Sequence, residues 1–369
     1  NIKQLFSING GNMIKKILFS LLLITPLLPS LAKADGGFFP PDNYWVYETG
    51  QKGAIVYQDG TETLVLQTSF QGDVLDFAWI IPTPNKPEVT KVSDDIFTNL
   101  AKLTQVEDDY IIPMNKTATM ELGAGSDEVQ VLEEKQVGIF EIKILTATNK
   151  DALYEWLKEN GFKYPASKKY ILDDYISNNW FFTTAKITPE AVNDEIASKL
   201  SQGDLSPLKL VFKADNMVFP LKISGVFEQS SDTTTDAYIY YPNSVPITLY
   251  IFSDHKQEAS GFEIDYANWV KPDEIETLAK DDNGNPWVDV NSKMYLTKMY
   301  QYTSYENMTD DVFFDQASND KRVGVLSLWQ KTINWLTDNS GLLLSLMIIV
   351  FFVSSFWQFK SNSKILWII

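Results

Sequence analysis

The stretch DFAWIIPTPNKPEV, residues 76–89, begins as an apolar strand and ends in prolines at 82, 84 and 87. Proline has no N–H to give a β-ladder, and it pushes the residue before it to an extended backbone. A strand over 75–82 is therefore expected to stop pairing, or to lie on an edge, at Pro82. The chain should then leave its sheet as a stiff, polyproline-like strap. Such a strap braces the route to the next element, because it has little entropy to lose. Trp79, Pro82 and Pro84 are also the candidate wall of a binding groove, although buried aromatics and loop prolines commonly serve packing.

Outward from this stretch the chain alternates strands with a few helices. GAIVYQ (53–58) and TETLVLQTSF (61–70) flank Asp59-Gly60, a pair that tolerates the positive φ of a two-residue hairpin turn. Asp94 to Leu103 reads as a helix capped by Ser93, with Ile96, Phe97, Leu100 and Leu103 on one face. Residues 129–146 give one or two strands with a turn near Lys135-Gln136. Asn149 caps a second helix that Gly161 stops, with Leu153, Trp156 and Leu157 as its buried stripe. A further helix is expected over 168–176. Strands follow at 179–187, 207–214, 219–227, 236–241, 245–254 and 262–270, then a short helix from Pro272 to Ala279. The pattern predicts an α+β fold: strand-rich mixed or antiparallel sheets with a few helices, in one or two subdomains with a boundary within 188–206.

Composition narrows the partners. Of 369 residues, 44% are apolar and 13% aromatic, which marks a globular chain. There is no cysteine, so thiol and disulfide chemistry is excluded, and there is one histidine, His255. The net charge is −17, and residues 1–34 and 360–369 hold six lysines and no acid. The body between them is more acidic still. It repels phosphate backbones, which argues against nucleic acid as a partner.

Both ends read as targeting segments. From Met13, Lys15 and Lys16 precede an apolar run from Ile17 to Leu31, and Ala32-Lys33-Ala34 supplies the small residues of a cleavage site. Residues 13–34 are thus expected to be a secretory signal cut after Ala34, with residues 1–12 upstream of the natural start. At the other end, 341–359 carries no charge over nineteen residues. At about 1.5 Å per residue that just spans a hydrocarbon core of about 30 Å. Trp335 and Trp357 sit at its two edges, and Lys360 and Lys364 follow it. The expected layout is an extracytoplasmic domain over 35–322, an amphipathic juxtamembrane segment over 323–340, one transmembrane helix over 341–359 and a cytoplasmic tail over 360–369. No LPxTG-like sorting motif precedes the span.

Particular strings carry a family likeness. Gly36-Gly37-Phe38-Phe39, the Asp59-Gly60 hairpin, Gln71-Gly72-Asp73 and the run from Asp76 to Pro84 resemble the DUF2330 family of bacterial secreted proteins, as do the later FPLKISGV and VPITLYIFSDH segments. The likeness covers about residues 35–270. It implies an extracytoplasmic location and a shared fold, and no activity. Relatives carry cysteines flanking the Gly-Gly element. Asp35 and Pro40 stand there in this chain, so no bridge carries over.

Chemistry candidates are few. A Ser-His-Asp triad has only His255 to use. Asp254 is adjacent, so on a strand it points to the opposite face, and a distant Asp and Ser would be needed. Zinc is disfavoured with no cysteine and one histidine. Paired acids recur at 94–95, 108–109, 173–174, 281–282 and 310–311. Asp281, Asp282 and Asn283, in the loop DDNGNP, are the candidate calcium ligands, although the EF-hand spacing is absent and a solvated Asx turn accounts for the same residues. No other cofactor is expected. A glycosidase-like carboxylate pair with Trp45, Trp180, Trp269 or Trp287 as a platform is the enzyme alternative. The expected function is a membrane-anchored, non-catalytic module that binds an envelope protein or glycan. The rivals are a carboxylate-based, glycan-directed envelope hydrolase and a purely structural envelope protein.

Overall fold

The computed structural model describes residues 37–38, 46–72, 78–104, 128–226 and 244–324, apart from 202, 204 and 282. The signal segment with Ala34, residues 1–12, the strand expected at 236–241, the span at 341–359 and the cytoplasmic tail lie outside the described residues, as does the juxtamembrane segment from 325 onward. Among the described residues, no helix is long and apolar enough to cross a membrane.

Two sheets carry the α+β fold. In the first, five antiparallel strands run in the order β1 (Gly37–Phe38), β4 (Ala78–Thr83), β8 (Phe181–Ile187), β7 (Phe140–Ala147), β6 (Val129–Val137). The second has seven strands in the order β13 (Glu263–Val270), β14 (Met294–Thr303), β11 (Val245–Ser253), β2 (Val46–Gln58), β3 (Thr61–Gly72), β9 (Leu208–Lys213), β5 (Glu88–Lys91). β11 and β2 run parallel and the other neighbours antiparallel, so this sheet is mixed. Among the described residues, two small ladders complete the set: β10 (Val218–Phe219) with β15 (Val312–Phe313), and β12 (Gln257–Glu258) with β16 (Asp315–Gln316).

Strand alternation sorts the side chains into three cores. Ile55, Leu64, Leu66, Trp79, Ile81, Ile142, Ile144, Ile247 and Leu249 turn into one cluster to which both sheets contribute. Their sequence neighbours turn the other way. Ala78, Ile80, Leu145 and Phe182 meet the apolar faces of α2 (Lys150–Glu159) and α3 (Lys169–Ser177) on the outside of the five-stranded sheet. Ala54, Val56, Val65, Tyr250 and Phe252 meet α1 (Ile96–Thr104), α5 (Pro272–Glu276) and Trp287 on the outside of the seven-stranded sheet. Strands buried on both faces read as near-continuous apolar runs, which is how AWII and IVYQ appear in the sequence.

The opening stretch is one of the crossings between the sheets. β4 belongs to the five-stranded sheet and β5 to the edge of the seven-stranded one, and residues 84–87 join them. The link is fastened along its length. Thr83 Oγ1 donates to Asn85 O at 2.9 Å, Asn85 Nδ2 donates to Lys213 O at 2.9 Å, Lys86 Nζ meets Glu133 Oε2 at 2.7 Å, and Pro87 is buried. Of the two expectations for Pro82, an end to the pairing or an edge position, the second fits: it lies inside β4, opposite Phe182. Among the described residues β1 pairs only with Trp79 and Ile80, which leaves no described strand beside Pro82 on that flank, and proline is tolerated at such an edge. A short α4 (Asp194–Ser201) lies within another link between the sheets, from β8 to β9.

Several local expectations hold. Asp59 and Gly60 both take positive φ (52° and 67°), the hairpin turn expected of them. Asn149 Oδ1 accepts from Asp151 N at 2.7 Å, and Gly161 at φ +81° follows the end of α2. Others are corrected. The β6–β7 turn falls at Gly138 (φ +57°), two to three residues beyond Lys135-Gln136, because glycine takes that backbone at no cost. Residues 219–227 were expected to be a strand, yet β10 stops at Phe219 and a 3-10 helix spans Lys222–Val226. Pro220 cannot continue the ladder, and a Cβ on Gly225 would sit 2.5 Å from Met308 O, so only glycine allows this turn to pack so closely. β14, in the interior of the seven-stranded sheet, was not expected at all.

Candidate functional site

Two of the acid pairs converge. Asp174 lies on α3 and Asp311 precedes β15, and Lys222 joins them: its Nζ meets Asp174 Oδ2 at 2.8 Å and its backbone N donates to Asp311 Oδ1 at 2.9 Å. The Tyr175 hydroxyl donates to the same Oδ1 at 2.7 Å. Burial pushes Asp311 up to about 6, against the pull of the bonds from Tyr175 and Lys222. Burial, and then the Asp311 carboxylate, holds the Tyr175 hydroxyl well above its ordinary range, so it stays a donor. Burial alone would lower Lys222, but Asp174 outweighs it and raises the ammonium. Chemically, this is a carboxyl poised near neutrality. Structurally, it ties α3, the 222–226 turn and β15 together.

Replacing Asp311 with asparagine tests that assignment. An ordinary aspartate titrates near 4, so the folded protein holds the Asp311 proton more tightly than the unfolded chain does. The stability from this group is fully present below about pH 4 and is lost as pH rises through about 6. Asparagine keeps an acceptor for both donors and cannot ionise. The stability of the wild type relative to Asp311→Asn, measured by urea unfolding, should fall by roughly 1–3 kcal/mol between pH 4 and pH 7. A flat difference across that range would show that burial does not control Asp311.

His255 also gains a distant aspartate. Its Nδ1 lies 2.9 Å from Asp320 Oδ2, and Asp320 Oδ1 accepts from Lys256 N at 2.9 Å. The nearest serine in sequence, Ser253, does not serve as the third member of a triad. Ser253 Oγ donates to the backbone O of His255 at 2.6 Å and accepts from Gln257 Nε2 at 3.0 Å, so it is turned to the chain and away from the ring.

The calcium candidate closes on itself. Asp281 Oδ1 accepts from Asn283 N at 2.8 Å and Asn285 N at 2.9 Å, and Oδ2 is 3.3 Å from Asn285 Nδ2. Burial alone would raise Asp281, but the bonds from Asn285 and Asn283 hold it below the usual range. This is the Asx geometry of a turn. Asp282 lies outside the described residues. Among the described residues, no group of three or more His, Cys, Asp or Glu is placed to hold a metal.

The groove candidates sit inward. Trp79 is 0% exposed and packs against Phe140 at 6.5 Å between centroids; Pro82 is buried and Pro84 half-buried. A cavity of about 10 Å³ lies beside Trp79, between Leu66, Phe219 and Ile223, with room for about one water. The geometry is that of a brace, and Trp79 presents no open wall. The tryptophan platform is dispersed as well. Trp287 is buried on the outside of the seven-stranded sheet and donates to Ile275 O at 2.7 Å, Trp180 stacks near Tyr175, Trp269 meets Tyr295, and Trp45 lies outside the described residues. A surface hollow over the helical side holds Lys143, Lys186, Trp156 and Phe162. Its cations are engaged, Lys143 with Glu141 at 3.0 Å and Lys186 with Asn160 O at 2.9 Å.

The family model described as "Uncharacterized protein conserved in bacteria (DUF2330)" matches residues 29–314. The chain belongs to the DUF2330 family. That match contains both sheets and the Asp311 cluster, and it ends just before the strap that carries Asp320. No curated protein matches this DUF2330 chain. Among solved structures, it is similar to that of baculovirus P35, at 10% identity over 75% of this chain and 98% of that one, with a TM-score of 0.33. A likeness that distant carries no argument about fold or function.

One group of this DUF2330 domain was not singled out from the sequence. Glu62 on β3 is 0% exposed, and its Oε2 accepts from Val218 N at 2.9 Å. Its Oε1 meets no hydrogen-bond partner among the described residues. Burial raises it well above the ordinary glutamate range, against the pull of the Val218 bond. The signal was present in TETLVL, where period two puts Glu62 on the face of Leu64 and Leu66.

Proposed function

We propose that this DUF2330 protein is an exported, membrane-tethered domain that binds an envelope protein or glycan without chemistry of its own. The observation that supports the reading is the use made of the acids. Asp281, Asp311 and Asp320 each spend carboxylate oxygens on backbone N–H groups and neighbouring side chains of the fold, so they act as fasteners. The basic-apolar-small order of 13–34 and the uncharged run of 341–359 supply export and tether. Tyr170, Tyr302 and Phe313 are aromatic side chains exposed on the body and offer contact area to a partner. The rival, a carboxylate hydrolase, draws its support from Asp311, whose pKa near 6 suits an acid catalyst.

Purified residues 35–324 assayed against hydrolase and glycan panels, with and without calcium, separate the two. Silence, together with recovery of one envelope partner on the full-length chain, is the expected result. Turnover abolished by Asp311→Asn or another single acid substitution would replace this reading with the hydrolase.

A further inference from the structure

We infer that Asn283–Gly284 is a site of spontaneous modification, and that the fold protects the same dipeptide at Asn160–Gly161. The chemistry needs no reactant but water. The backbone nitrogen of the glycine attacks Cγ of the asparagine side chain and gives up its proton. The Cγ–Nδ2 bond breaks, and ammonia leaves a five-membered succinimide. Water then adds to one of the two imide carbonyls and opens the ring. One opening gives aspartate. The other gives isoaspartate, in which the main chain runs through the former side chain. Glycine favours the closure because it has no Cβ to crowd the attacking nitrogen and passes easily between backbone conformations.

The two pairs share a sequence and differ in what surrounds them. Asn283 and Gly284 are both exposed, and Gly284 takes φ +81°. Among the described residues, nothing beyond its chain neighbours lies within 4 Å of where a Gly284 Cβ would stand. The Asn283 side chain enters no hydrogen bond among the described residues, so Cγ can turn toward the Gly284 nitrogen. One bond opposes the attack: Gly284 N donates to Asp281 O at 3.0 Å. It closes an exposed turn, where local opening is cheap.

At Asn160, the C-cap of α2, the side chain is already committed. Its Nδ2 donates to Trp156 O at 2.8 Å, and its backbone O accepts from Lys186 Nζ at 2.9 Å. Gly161 N donates to Lys158 O at 3.1 Å, much as Gly284 N does in its own turn. Trp156 and Phe162 are buried on either side, so this stretch is set in the core. The side-chain bond and the charge-assisted bond have no counterpart at Asn283. Together they should hold Asn160 back by at least about tenfold.

The change at 283 stays local. Asp281 N donates to Asn285 O at 2.9 Å, Lys280 bridges Pro286, and buried Trp287 donates to Ile275 O, so the base of the loop is fixed by groups outside the reacting pair. Either product adds a negative charge to a loop that already carries Asp281 and Asp282. The inference holds whatever the domain binds.

Timed incubation of the full-length chain at mildly alkaline pH, followed by tryptic peptide mapping, tests it. Cleavage at lysine puts Asn283 in peptide 281–293 and Asn160 in peptide 159–163. Fragment masses locate the change from amide to acid. Asn285 is an internal blank, because Pro286 has no N–H with which to close the ring. In the folded protein, acid should accumulate at 283 at least about tenfold faster than at 160. In guanidinium, where both pairs lie in unfolded chain, the rates should converge as Asn160 speeds up. Equal rates in the folded protein, or a faster Asn160, overturn the inference. A gap that persists unchanged in guanidinium does so too, because it places the difference in the flanking sequence and not in the fold.

Discussion

Replacing Trp79 with alanine is expected to cost about 3–5 kcal/mol of folding stability. Trp79 sits in the core between the sheets, opposite Ala185 on β8 and against Phe140 on β7. Truncation removes the largest side chain on β4 and leaves a hole beside an existing cavity of about 10 Å³. Collapse would normally recover part of the loss. Here β4 is continued by a proline-stiffened link that Asn85 and Lys86 fasten to β9 and to β6, so the backbone has little freedom to close the gap. Trp79→Phe keeps most of the volume and should cost much less. Urea midpoints of the purified body measure both. A loss below about 1 kcal/mol for the alanine variant would mean that Trp79 is not in a packed core.

Glu62 gives the second large effect. Glu62→Ala strands the Val218 N–H in a buried site and opens a cavity, for an expected loss of about 2–4 kcal/mol. Glu62→Gln keeps an acceptor for Val218 and replaces a protonated carboxyl with a neutral amide of the same shape, so it should change stability at mildly acidic pH by less than about 1 kcal/mol. The sign of the pH dependence follows from the raised folded pKa. The contribution of the wild-type glutamate is fully present below the ordinary glutamate pKa and is lost as pH rises toward the folded value. Relative to Glu62→Gln, the wild type should therefore lose stability steadily from about pH 4 upward. Urea unfolding of the three proteins at a series of pH values checks this. A wild type that gains on the glutamine variant with rising pH would mean that the carboxylate is ionised and paired.

Local chemistry made much of this fold legible, and distance hid the rest. Asp59-Gly60 announced its hairpin because both residues accept positive φ, and Asn149 and Gly161 bracketed α2 through a cap and a left-handed stop. β14 escaped because MYLTKMYQYT mixes long polar residues with apolar ones on its outer face, where Lys298 and Tyr302 stand beside Tyr300. Apolar alternation over 219–227 suggested a strand, and Pro220 and Gly225 overruled it. The parallel pairing of β11 with β2 joins segments about two hundred residues apart, and no local pattern encodes it. The same holds for the site. Tyr175 and Asp311 are 136 residues apart and His255 and Asp320 are 65 apart, so each acid was visible as an acid but its partner was not. Trp79 looked like a possible groove wall because the sequence shows that prolines follow it, and not that two sheets close over it.

The most direct test of the proposed role is protease accessibility in intact spheroplasts carrying a tag after Ile369. The acidic body should be digested by protease added outside, while a membrane-bound fragment containing 341–359 and the tag survives. A body left untouched until the spheroplasts are lysed, or a protein released as a soluble chain that retains residues 13–34, would contradict the account.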